Sequence, residues 1–470
     1  ILRGVNVGEK RSPYLSWHGP REYAQMRGWG FNCIRLLTFW AAIEPECGKY
    51  NEEYLKDLDQ RIKWAKENGI YVILDMHQDL YGEGIPGGDG APKWATLDEG
   101  KRHASLGFVW SDAYLVSPKI HAAFDNFWNN SPGPDGVGIQ DRFALAWQHL
   151  ARRYADEPAV IGFDLLNEPF PGSDVLDAVI ATFPVLRQVL TPDSLSGKSI
   201  MEKLSDMSTY KAILDAAGGV CQTFEREKLT PMFQRVGEAI RKVDRRHILF
   251  IAPCVFTNPG IPSALEPVLG EDGQVDPHQA FAPHAYDITV DSPNPEDANS
   301  SRLSLIFERH AETARRLGMP FVVGEWGAFY GSPNVIPVAR AYAHEFEKYL
   351  AGDTYWDFHK GFERTAFFPL LERPYPHAVS GKIVQYQYDS EKETFKCSWD
   401  ESGNETKPSI FFFPGERFPT DSRIELIPPS LQANMAPVFT HHESKNWFLN
   451  IVPFGQTCRR QLVITASPKP

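Results

Sequence analysis

The chain has 470 residues, of which 42% are hydrophobic, 13% aromatic and 23% charged, and its formal net charge is -12. This composition excludes a disordered chain, and the negative charge makes nucleic acid and anionic membranes unfavourable partners. A chain of this length usually forms two domains, one of which can be a large α/β barrel. The sequence contains no apolar run of about 18 residues, so no membrane span is predicted.

The first part of the chain alternates short apolar runs with amphipathic helical patterns. Strands are predicted over residues 2–7, 31–37 and 70–75, and helices over 20–26 and 52–67. In the second helix the apolar residues recur at helical spacing, and Asn68 and Gly69 end it. Continuous apolar strands between amphipathic helices predict a parallel sheet that is covered on both faces.

This alternation continues to about residue 375, with two long insertions at about 80–138 and 170–205. The further predicted strands cover residues 160–166, 247–251, 279–284, 321–324 and 354–357. The further predicted helices cover residues 140–156, 230–243, 302–317 and 338–350. Eight βα repeats predict a (β/α)₈ TIM barrel over residues 1–375, and insertions of this length are usually functional.

The last segment, residues 376–470, has a different pattern. Short alternating runs over 382–388, 395–399 and 461–465 are separated by turns rich in Gly, Pro, Asn and Asp, and helical periodicity is absent. This pattern predicts a C-terminal β-sandwich domain. We expect the domain to support the barrel by packing against it.

Cysteine spacing and the first residue bear on the compartment of the protein. The six cysteines show no CxxC spacing, which gives no indication of a zinc site or a redox motif. Cys397 and Cys458 lie in the same late segment, so a disulfide between them is the first pairing to test. The chain begins at Ile1, from which we expect that a leader was removed and that the protein is secreted. Glycosylation sequons begin at Asn129, Asn299 and Asn404.

Polar residues directly follow the apolar runs, and in a barrel the carboxyl ends of the strands form the active site. Two of these residues are glutamates: Glu168 follows the fourth predicted strand and Glu325 follows the seventh. Two carboxylates at strand ends are what hydrolysis of a glycosidic bond requires. The other candidates at these positions are Arg35, His77, Asp79, Asn167, His284, Tyr286 and Trp356.

Each of these residues taken alone also has a purely structural explanation. The run Asn167-Glu168-Pro169 can be a helix N-cap with a first-turn proline, and a glutamate beyond a strand is most often solvated. His77 and His284 can be hydrogen-bonded core histidines, and Trp356 can fill the core. The combination at successive strand ends, rather than any single residue, favours an active site.

A retaining glycosidase needs one protonated carboxyl group and one ionised carboxylate. The environments of the two groups must therefore give them different pKa values. Asn167, beside Glu168, can hydrogen-bond the sugar 2-hydroxyl. Tyr286 can hold Glu325 ionised by donating its phenolic proton, and His284 can orient neighbouring groups. Trp356 offers a ring face on which a sugar stacks. This chemistry requires neither a metal ion nor a cofactor.

The chain resembles glycoside hydrolase family 5, and within it the endoglycoceramidase-type subfamilies. The family signature is Leu165-Leu166-Asn167-Glu168-Pro169 with Gly324-Glu325-Trp326, and the subfamily motifs lie at residues 5–10, 75–79 and 88–96. The resemblance implies that Glu168 is the acid/base and Glu325 the nucleophile. It also implies a sugar site that comprises Arg35, His77, Asn167, His284, Tyr286 and Trp356, with Lys10 and Asp79 on the first sugar.

The resemblance implies a retaining endo-glycosidase that hydrolyses the β-glycosidic bond between oligosaccharide and ceramide through a covalent glycosyl-enzyme. The expected partner is a glycosphingolipid, presented in a micelle or at a membrane surface, and the expected enzyme is a monomer. One alternative is a subfamily member restricted to galactosylceramide-linked glycans. Others are a β-glucosidase or β-glucanase with soluble substrates, and a non-catalytic glycolipid-binding protein.

Apolar residues crowd the segment that follows Glu168. They are Val175, Leu176, Val179, Ile180, Phe183, Val185, Leu186 and Leu190. We predict that this segment is a loop near the site and that its apolar residues, from Val175 to Phe183 above all, form a trough for the lipid tails, because an exposed apolar patch usually marks a binding surface. The alternative is an amphipathic helix that packs on the outer wall of the barrel.

Overall fold

A computed structural model describes residues 1–189, 197–429, 433–437 and 445–467. Eight parallel strands form one sheet in the order β6-β5-β4-β3-β2-β1-β8-β7, and a parallel bridge between Phe281 and Phe321 closes it. The predicted (β/α)₈ barrel is therefore confirmed. Its strands are β1 (Arg3–Val7), β2 (Cys33–Thr38), β3 (Tyr71–Met76), β4 (Val160–Asp164), β5 (Ile248–Ile251), β6 (Gln279–Phe281), β7 (Val322–Val323) and β8 (Gly352–Tyr355).

The helices of the barrel and its insertions cover the outside of the sheet. They are α1 (Pro20–Gly28), α2 (Trp40–Ile43), α3 (Glu52–Glu67), α4 (Ala113–Val116), α5 (Pro118–Trp128), α6 (Ile139–Tyr154), α7 (Val175–Val189), α8 (Gly197–Leu204), α9 (Met207–Phe224), α10 (Thr230–Arg241), α11 (Ser300–Leu317), α12 (Ile336–Tyr349) and α13 (Phe368–Leu371). Of the helices in the described ranges, none combines the length and the apolar character needed to cross a bilayer.

The loop predicted after Glu168 is wrong over most of its length. Residues 175–189 form helix α7 with Pro184 inside it, and Leu190 lies outside the described residues. Leu176, Val179, Ile180 and Phe183 are spaced three or four residues apart, which is the period of one helix face. The apolar pattern was thus helical, and the internal proline did not end the helix.

The sheet is buried on both faces, as expected for parallel strands beneath helices. Strands β1 and β2 are buried along their whole length. Several polar residues nevertheless lie buried within the strands of the sheet, among them Asn6, Arg35, Asp75 and Asp164. They need partners inside the barrel, because an unpaired buried charge is strongly destabilising.

Residues from Tyr375 onward form two four-stranded antiparallel sheets, ordered β10-β11-β16-β13 and β14-β15-β12-β9. Apolar side chains that include Phe395, Trp399, Phe411 and Trp447 form their common core. The predicted β-sandwich is confirmed. Its strands are β9 (Tyr375–Ala378), β10 (Lys382–Asp389), β11 (Thr394–Ser402), β12 (Ser409–Phe413), β13 (Arg423–Ile427), β14 (Ala433–Pro437), β15 (Trp447–Ile451) and β16 (Thr457–Thr465).

Cys397 and Cys458, the first pairing to test, form no disulfide, since all six cysteines, each in a described range, are free. The two residues lie on the paired strands β11 and β16, where Cys397 faces Leu462 and Cys458 faces Glu401. An offset of four residues corresponds to about 13 Å along a strand. A disulfide requires Cα atoms within about 7 Å.

The β-sandwich contacts the barrel beside the start of β2. Gly30 has a φ of 87°, and a Cβ atom there would lie 2.4 Å from the Phe412 ring. Tyr375 Oη donates a hydrogen bond of 2.6 Å to the Gly30 carbonyl. Only glycine suits both this backbone conformation and the close approach of the second domain.

Candidate active site

The two predicted catalytic glutamates lie at the carboxyl ends of the barrel strands. Glu168 follows β4 in a turn with a φ of 44°, a left-handed conformation that is uncommon for a side chain of this size. Gln78 Nε2 donates to the carbonyls of Asn167 and Glu168, at 3.0 and 3.1 Å, and so holds this turn. Glu325 follows β7 and is 5% exposed.

Glu168 and Glu325 face each other across a short gap. One oxygen of each carboxylate lies within 4.8 Å of the other, and His284 Nδ1 lies 2.9 Å from Glu168 and 3.6 Å from Glu325. Retaining glycosidases hold their carboxyl groups about 5–5.5 Å apart, whereas inverting enzymes leave about 6.5–9.5 Å for a water molecule. The gap in this protein suits direct attack by one of the carboxylates.

Two hydrogen-bond donors are directed at the carboxylate of Glu325. Arg35 Nη1 donates to Oε1 at 2.8 Å, and Tyr286 Oη donates to Oε2 at 3.0 Å. Burial raises the pKa of Glu325, while the positive charge of Arg35 opposes this rise. Two donors directed at one carboxylate stabilise the charge that a nucleophile needs.

The surroundings of Glu168 differ, because within the described ranges no guanidinium contacts its carboxylate directly. Asn258 Nδ2 donates to Oε1 at 2.6 Å, and His284 Nδ1 lies near the same oxygen. Burial raises the pKa of Glu168, which suits a group that must hold a proton. Burial also lowers the pKa of His284 to about 4, so this histidine is neutral at neutral pH.

Arg35 connects the catalytic pair to the barrel interior. Its guanidinium contacts Asp164, Glu325 and Asp75, each at 2.8 Å, and it also donates to Asn167 Oδ1 at 2.8 Å. Burial alone would lower the pKa of Arg35, but the three carboxylates together raise it. The charge of Arg35 is therefore permanent, and it fixes Glu325 and Asn167 relative to each other.

Replacing Arg35 with Met is expected to lower the free energy of unfolding by about 3–5 kcal/mol, because three buried carboxylates lose their common cation. Urea unfolding of the wild type and variant measures the loss. The control is Arg153→Met, whose partners Asp59 and Glu52 are much more exposed and whose loss should stay below about 1 kcal/mol. Equal losses in the two variants would contradict the role of Arg35.

The predicted sugar-binding residues meet beside this pair. Trp356 follows β8 and stacks on His77, with ring centroids 5.4 Å apart and 13° between the planes. Lys10 forms an ion pair with Asp79, and its Nζ lies 5.2 Å from the Trp356 ring centroid and 3.8 Å from Asp89. An aromatic face bordered by charged donors and acceptors is a suitable platform for a sugar ring and its hydroxyls.

Asn167 is fixed on both ends of its amide. Its Oδ1 accepts from Arg35, and its Nδ2 donates to the Gln78 carbonyl at 3.0 Å. Asn6 on β1 has a similar bridging role, since its Oδ1 accepts from Arg35 and its Nδ2 donates to the Gly324 carbonyl at 2.9 Å. These hydrogen bonds connect the ends of β1, β2, β4 and β7.

Among the residues that the structure describes, two groups of acidic and histidine side chains have the spacing of metal ligands: His77, Asp79 and Asp89, and Glu168, His284 and Glu325. In the first group Lys10 forms ion pairs with the two carboxylates. In the second group Arg35 and Tyr286 donate hydrogen bonds to Glu325. These donors explain both clusters in terms of the glycosidase chemistry.

The site opens into a cleft of about 430 Å³, whose lining includes Lys10, His77, Asp79, Asn167, Glu168, Tyr286, Glu325 and Trp356. Apolar side chains, called the apolar wall below, also line it: Val109, Trp110, Leu115, Phe170, Val255, Phe256, Ile288 and Val290. The Asp291 carboxylate bridges two rim residues, accepting from Trp110 Nε1 at 2.7 Å and Tyr330 Oη at 3.2 Å. One cleft thus contains both the polar catalytic residues and a large apolar surface.

The five residues predicted to contact ceramide lie elsewhere, and none is among the lining residues of this cleft. Val175 is buried at the start of α7, a helix that packs against α9. The other four, Leu176, Val179, Ile180 and Phe183, are 45–66% exposed on the surface of α7. Lipid contact by these residues stays a prediction. The apolar lining of the cleft comes instead in part from Phe170 and from the 80–138 insertion.

Several residues of the site were missed from the sequence. Asp75 and Asp164 are polar interruptions within apolar strands, a signal that could have identified them as partners of Arg35. Asp89 lies in a subfamily motif, but no site role was given to it. Asn258 gives no local signal, since it lies in an irregular loop beyond the end of β5.

Comparison with known proteins identifies the family. The model of the cellulase family (glycosyl hydrolase family 5) matches residues 15–361, which is most of the chain. The chain belongs to glycosyl hydrolase family 5. The glycoside hydrolase family 5 C-terminal domain matches residues 373–446, within the β-sandwich.

Relatives in this family include glycolipid-degrading enzymes. Endoglycoceramidase I of Rhodococcus hoagii is 25% identical over 441 residues, which cover 91% of this chain and 79% of that protein. Glucosylceramidase of Aspergillus fumigatus is 32% identical over 200 residues, covering 36% of this chain and 26% of that protein. The crystallised endo-glycoceramidase II of Rhodococcus sp. is 26% identical with a TM-score of 0.77, covering 100% of this chain and 97% of that one. It has also been solved as a lactosyl-enzyme intermediate and with ganglioside GM3.

Proposed function

We propose that this family 5 protein is a retaining endo-glycosidase that hydrolyses the β-glycosidic bond between oligosaccharide and ceramide in glycosphingolipids. The main supporting observation is the cleft, whose lining combines both glutamates, the predicted sugar-binding residues and the apolar wall. The likeness to endo-glycoceramidase II, solved with GM3 and as a lactosyl-enzyme, supports the same substrate class and a covalent intermediate.

In the first step Glu325 attacks the anomeric carbon of the sugar that is linked to ceramide. The bond between that carbon and the glycosidic oxygen breaks, and Glu168 transfers its proton to the leaving oxygen, which departs as the ceramide hydroxyl. Arg35 and Tyr286 hold the attacking carboxylate, and neutral His284 adds no positive charge that would favour early loss of the Glu168 proton. The products are free ceramide and a glycosyl ester of Glu325.

In the second step Glu168 acts as a base. It removes a proton from a water molecule, whose oxygen attacks the anomeric carbon and releases Glu325 as a carboxylate. Two inversions give a glycan with the original β configuration. Glu168 regains its proton, so the enzyme is ready for another cycle.

The apolar wall would receive the part of ceramide next to the scissile bond. Leu115 is 38% exposed and Trp110 47% exposed, although both line the cleft, so apolar surface continues from the cleft to its rim. Phe108, two residues from Trp110, is 84% exposed. Such a rim suits a substrate presented in a micelle or membrane surface; this presentation, secretion and a monomeric state stay predictions.

Replacing Leu115 with Asn tests the lipid wall. We expect the ratio of kcat/KM for lactosylceramide to kcat/KM for a soluble aryl β-lactoside to fall about tenfold, because a partly buried leucine contact with the lipid is lost. The control is Leu145→Asn on α6, since Leu145 is 39% exposed and does not line the cleft. This control should leave the ratio unchanged.

The same assays separate the alternatives. An unchanged ratio in Leu115→Asn would contradict lipid binding by this wall. Cleavage of soluble β-glucans without cleavage of lactosylceramide would favour a β-glucanase, and cleavage of galactosyl glycolipids alone would favour the galactosylceramide-restricted alternative. Turnover of none of these substrates by the wild type would favour a non-catalytic role for the site.

A further inference from the structure

A buried carboxylate behind the active site has no role in the chemistry described above. Glu225 begins a π-helical turn, Glu225–Leu229, between α9 and α10, and its side chain is 0% exposed. It accepts hydrogen bonds from the Cys254 backbone N–H at 2.9 Å, from Ser263 Oγ at 2.9 Å and from the Ala264 N–H at 2.5 Å. π-helical turns occur frequently at functional sites.

These three donors lie at the two ends of a single loop, residues 254–264, which follows β5. Glu225 therefore holds the two ends of the loop together through hydrogen bonds. Within the loop, the Val255 N–H donates to the Pro169 carbonyl at 3.0 Å, next to Glu168, and the Asn258 carbonyl accepts from the Tyr286 N–H at 3.3 Å. These two hydrogen bonds fix the position of the loop relative to Glu168 and Tyr286.

Asn258 is the residue of this loop that reaches the chemistry. It is 8% exposed, lines the cleft, and donates its amide to Glu168 Oε1 at 2.6 Å. Because Oε1 is occupied by this donor, the proton of the acid is best placed on Oε2. An amide that fixes one oxygen in this way directs the other oxygen.

We propose that Asn258 and Glu225 are positioning residues for the proton donor: Asn258 orients the carboxyl group of Glu168, and Glu225 holds Asn258 in place through the 254–264 loop. This inference rests on the proposed function, in which Glu168 is the acid/base. It concerns the efficiency and pH range of proton transfer, which the catalytic pair alone does not determine.

The pH dependence follows from the direction of this hydrogen bond. An amide N–H stabilises the ionised carboxylate, so Asn258 lowers the pKa of Glu168 against the rise caused by burial. Its removal should raise that pKa and move the alkaline limb of activity to higher pH. The other titratable or charged groups near Glu168 are Lys10, Arg35, Tyr114, His284, Tyr286, Asp291 and Glu325. All of them remain in the variants, so they do not produce the difference.

The experiment is the pH profile of kcat/KM for an alkyl β-lactoside, whose poor leaving group requires the acid. In Asn258→Ala we expect the alkaline limb to move up by about one pH unit, with a roughly tenfold lower maximum. Glu225→Gln should produce the same shift. The NH₂ group of the glutamine would face the N–H donors of the loop instead of accepting from them, so the loop and Asn258 would move away. The double variant should show no further shift, since both changes remove one interaction.

Two controls separate positioning from general stability. Glu401→Gln alters a similarly buried carboxylate in the β-sandwich that accepts from Trp399 and the Phe454 N–H, and it should lower Tm without moving the limb. Should Glu225→Gln fail to fold, Ser263→Ala removes a single donor to Glu225 and should move the limb in the same direction by a smaller amount.

If the alkaline limb of the pH profile stays at the same pH in Asn258→Ala, the proposal is overturned. A limb that moves in Asn258→Ala but not in Glu225→Gln or Ser263→Ala, or shifts that add in the double variant, would overturn the role of Glu225. Glu168→Gln distinguishes these failures from failure of the proposed function: it should abolish the alkaline limb, and a limb that persists there would show that Glu168 is not the acid.

Discussion

Replacing Glu325 with Gln is expected to lower kcat by at least about 10⁴-fold on every substrate, soluble or lipid. An amide has the size of the carboxylate but cannot form the glycosyl ester, and its neutral charge removes the partner of Arg35 in the transition state. Steady-state kinetics with an aryl β-lactoside measures the loss. Because the leaving group of this substrate needs no acid, the loss reports on the nucleophile alone.

Glu345→Gln is the matched control for this variant. Glu345 is 4% exposed, close to the 5% of Glu325, but it lies on α12 and accepts from Ser304 rather than from a catalytic residue. Its kcat should stay within about twofold of the wild type. A 2-deoxy-2-fluoro glycoside should label the wild type on the peptide that contains Glu325. Labelling at another residue, or near-normal turnover by Glu325→Gln, would contradict the assignment.

Replacing Glu168 with Ala is expected to have an effect that depends on the leaving group. Turnover of lactosylceramide should fall by about 10²–10⁴-fold, because ceramide leaves poorly without a proton. An activated aryl β-lactoside should still form the glycosyl-enzyme, which then accumulates since no base activates water. The measurement compares the two substrates by steady-state and burst kinetics.

Added azide provides the control for this variant. It needs no base, and it fits the space that the shortened side chain leaves, so it should restore turnover of the aryl substrate and give a β-glycosyl azide. Azide should not restore activity to Glu325→Gln, which forms no intermediate. An α-glycosyl azide from Glu168→Ala, or equal losses on both substrates, would contradict an acid/base role for Glu168.

The barrel, and the positions of Glu168 and Glu325 at its strand ends, could be predicted from the sequence because both depend on local patterns. A buried parallel strand is a continuous apolar run, and the residue at which the run ends lies at the active-site edge. Glu168, Glu325 and His77 were found by that rule alone. The helix predicted over 52–67 begins and ends at the same residues in the structure, because Asn51 caps it and Asn68 follows it.

Long-range contacts account for what could not be predicted. Asn258 contacts Glu168 from a loop whose two ends both donate hydrogen bonds to Glu225, and these contacts join residues far apart in the sequence. The apolar side of the cleft was expected from the segment after Glu168, yet Val109, Trp110 and Leu115 of the earlier insertion line it. Both insertions are rich in apolar residues, and composition does not specify which one turns toward the cleft.

The most direct test of the proposed activity is the identity and anomeric form of the first products released from lactosylceramide. Mass spectrometry should detect intact lactose and intact ceramide, and NMR spectra taken early in the reaction should show the β-anomer of lactose before mutarotation. Release of galactose before lactose, appearance of the α-anomer first, or no release from the lipid at all would contradict a retaining endo-glycosidase that cleaves between glycan and ceramide.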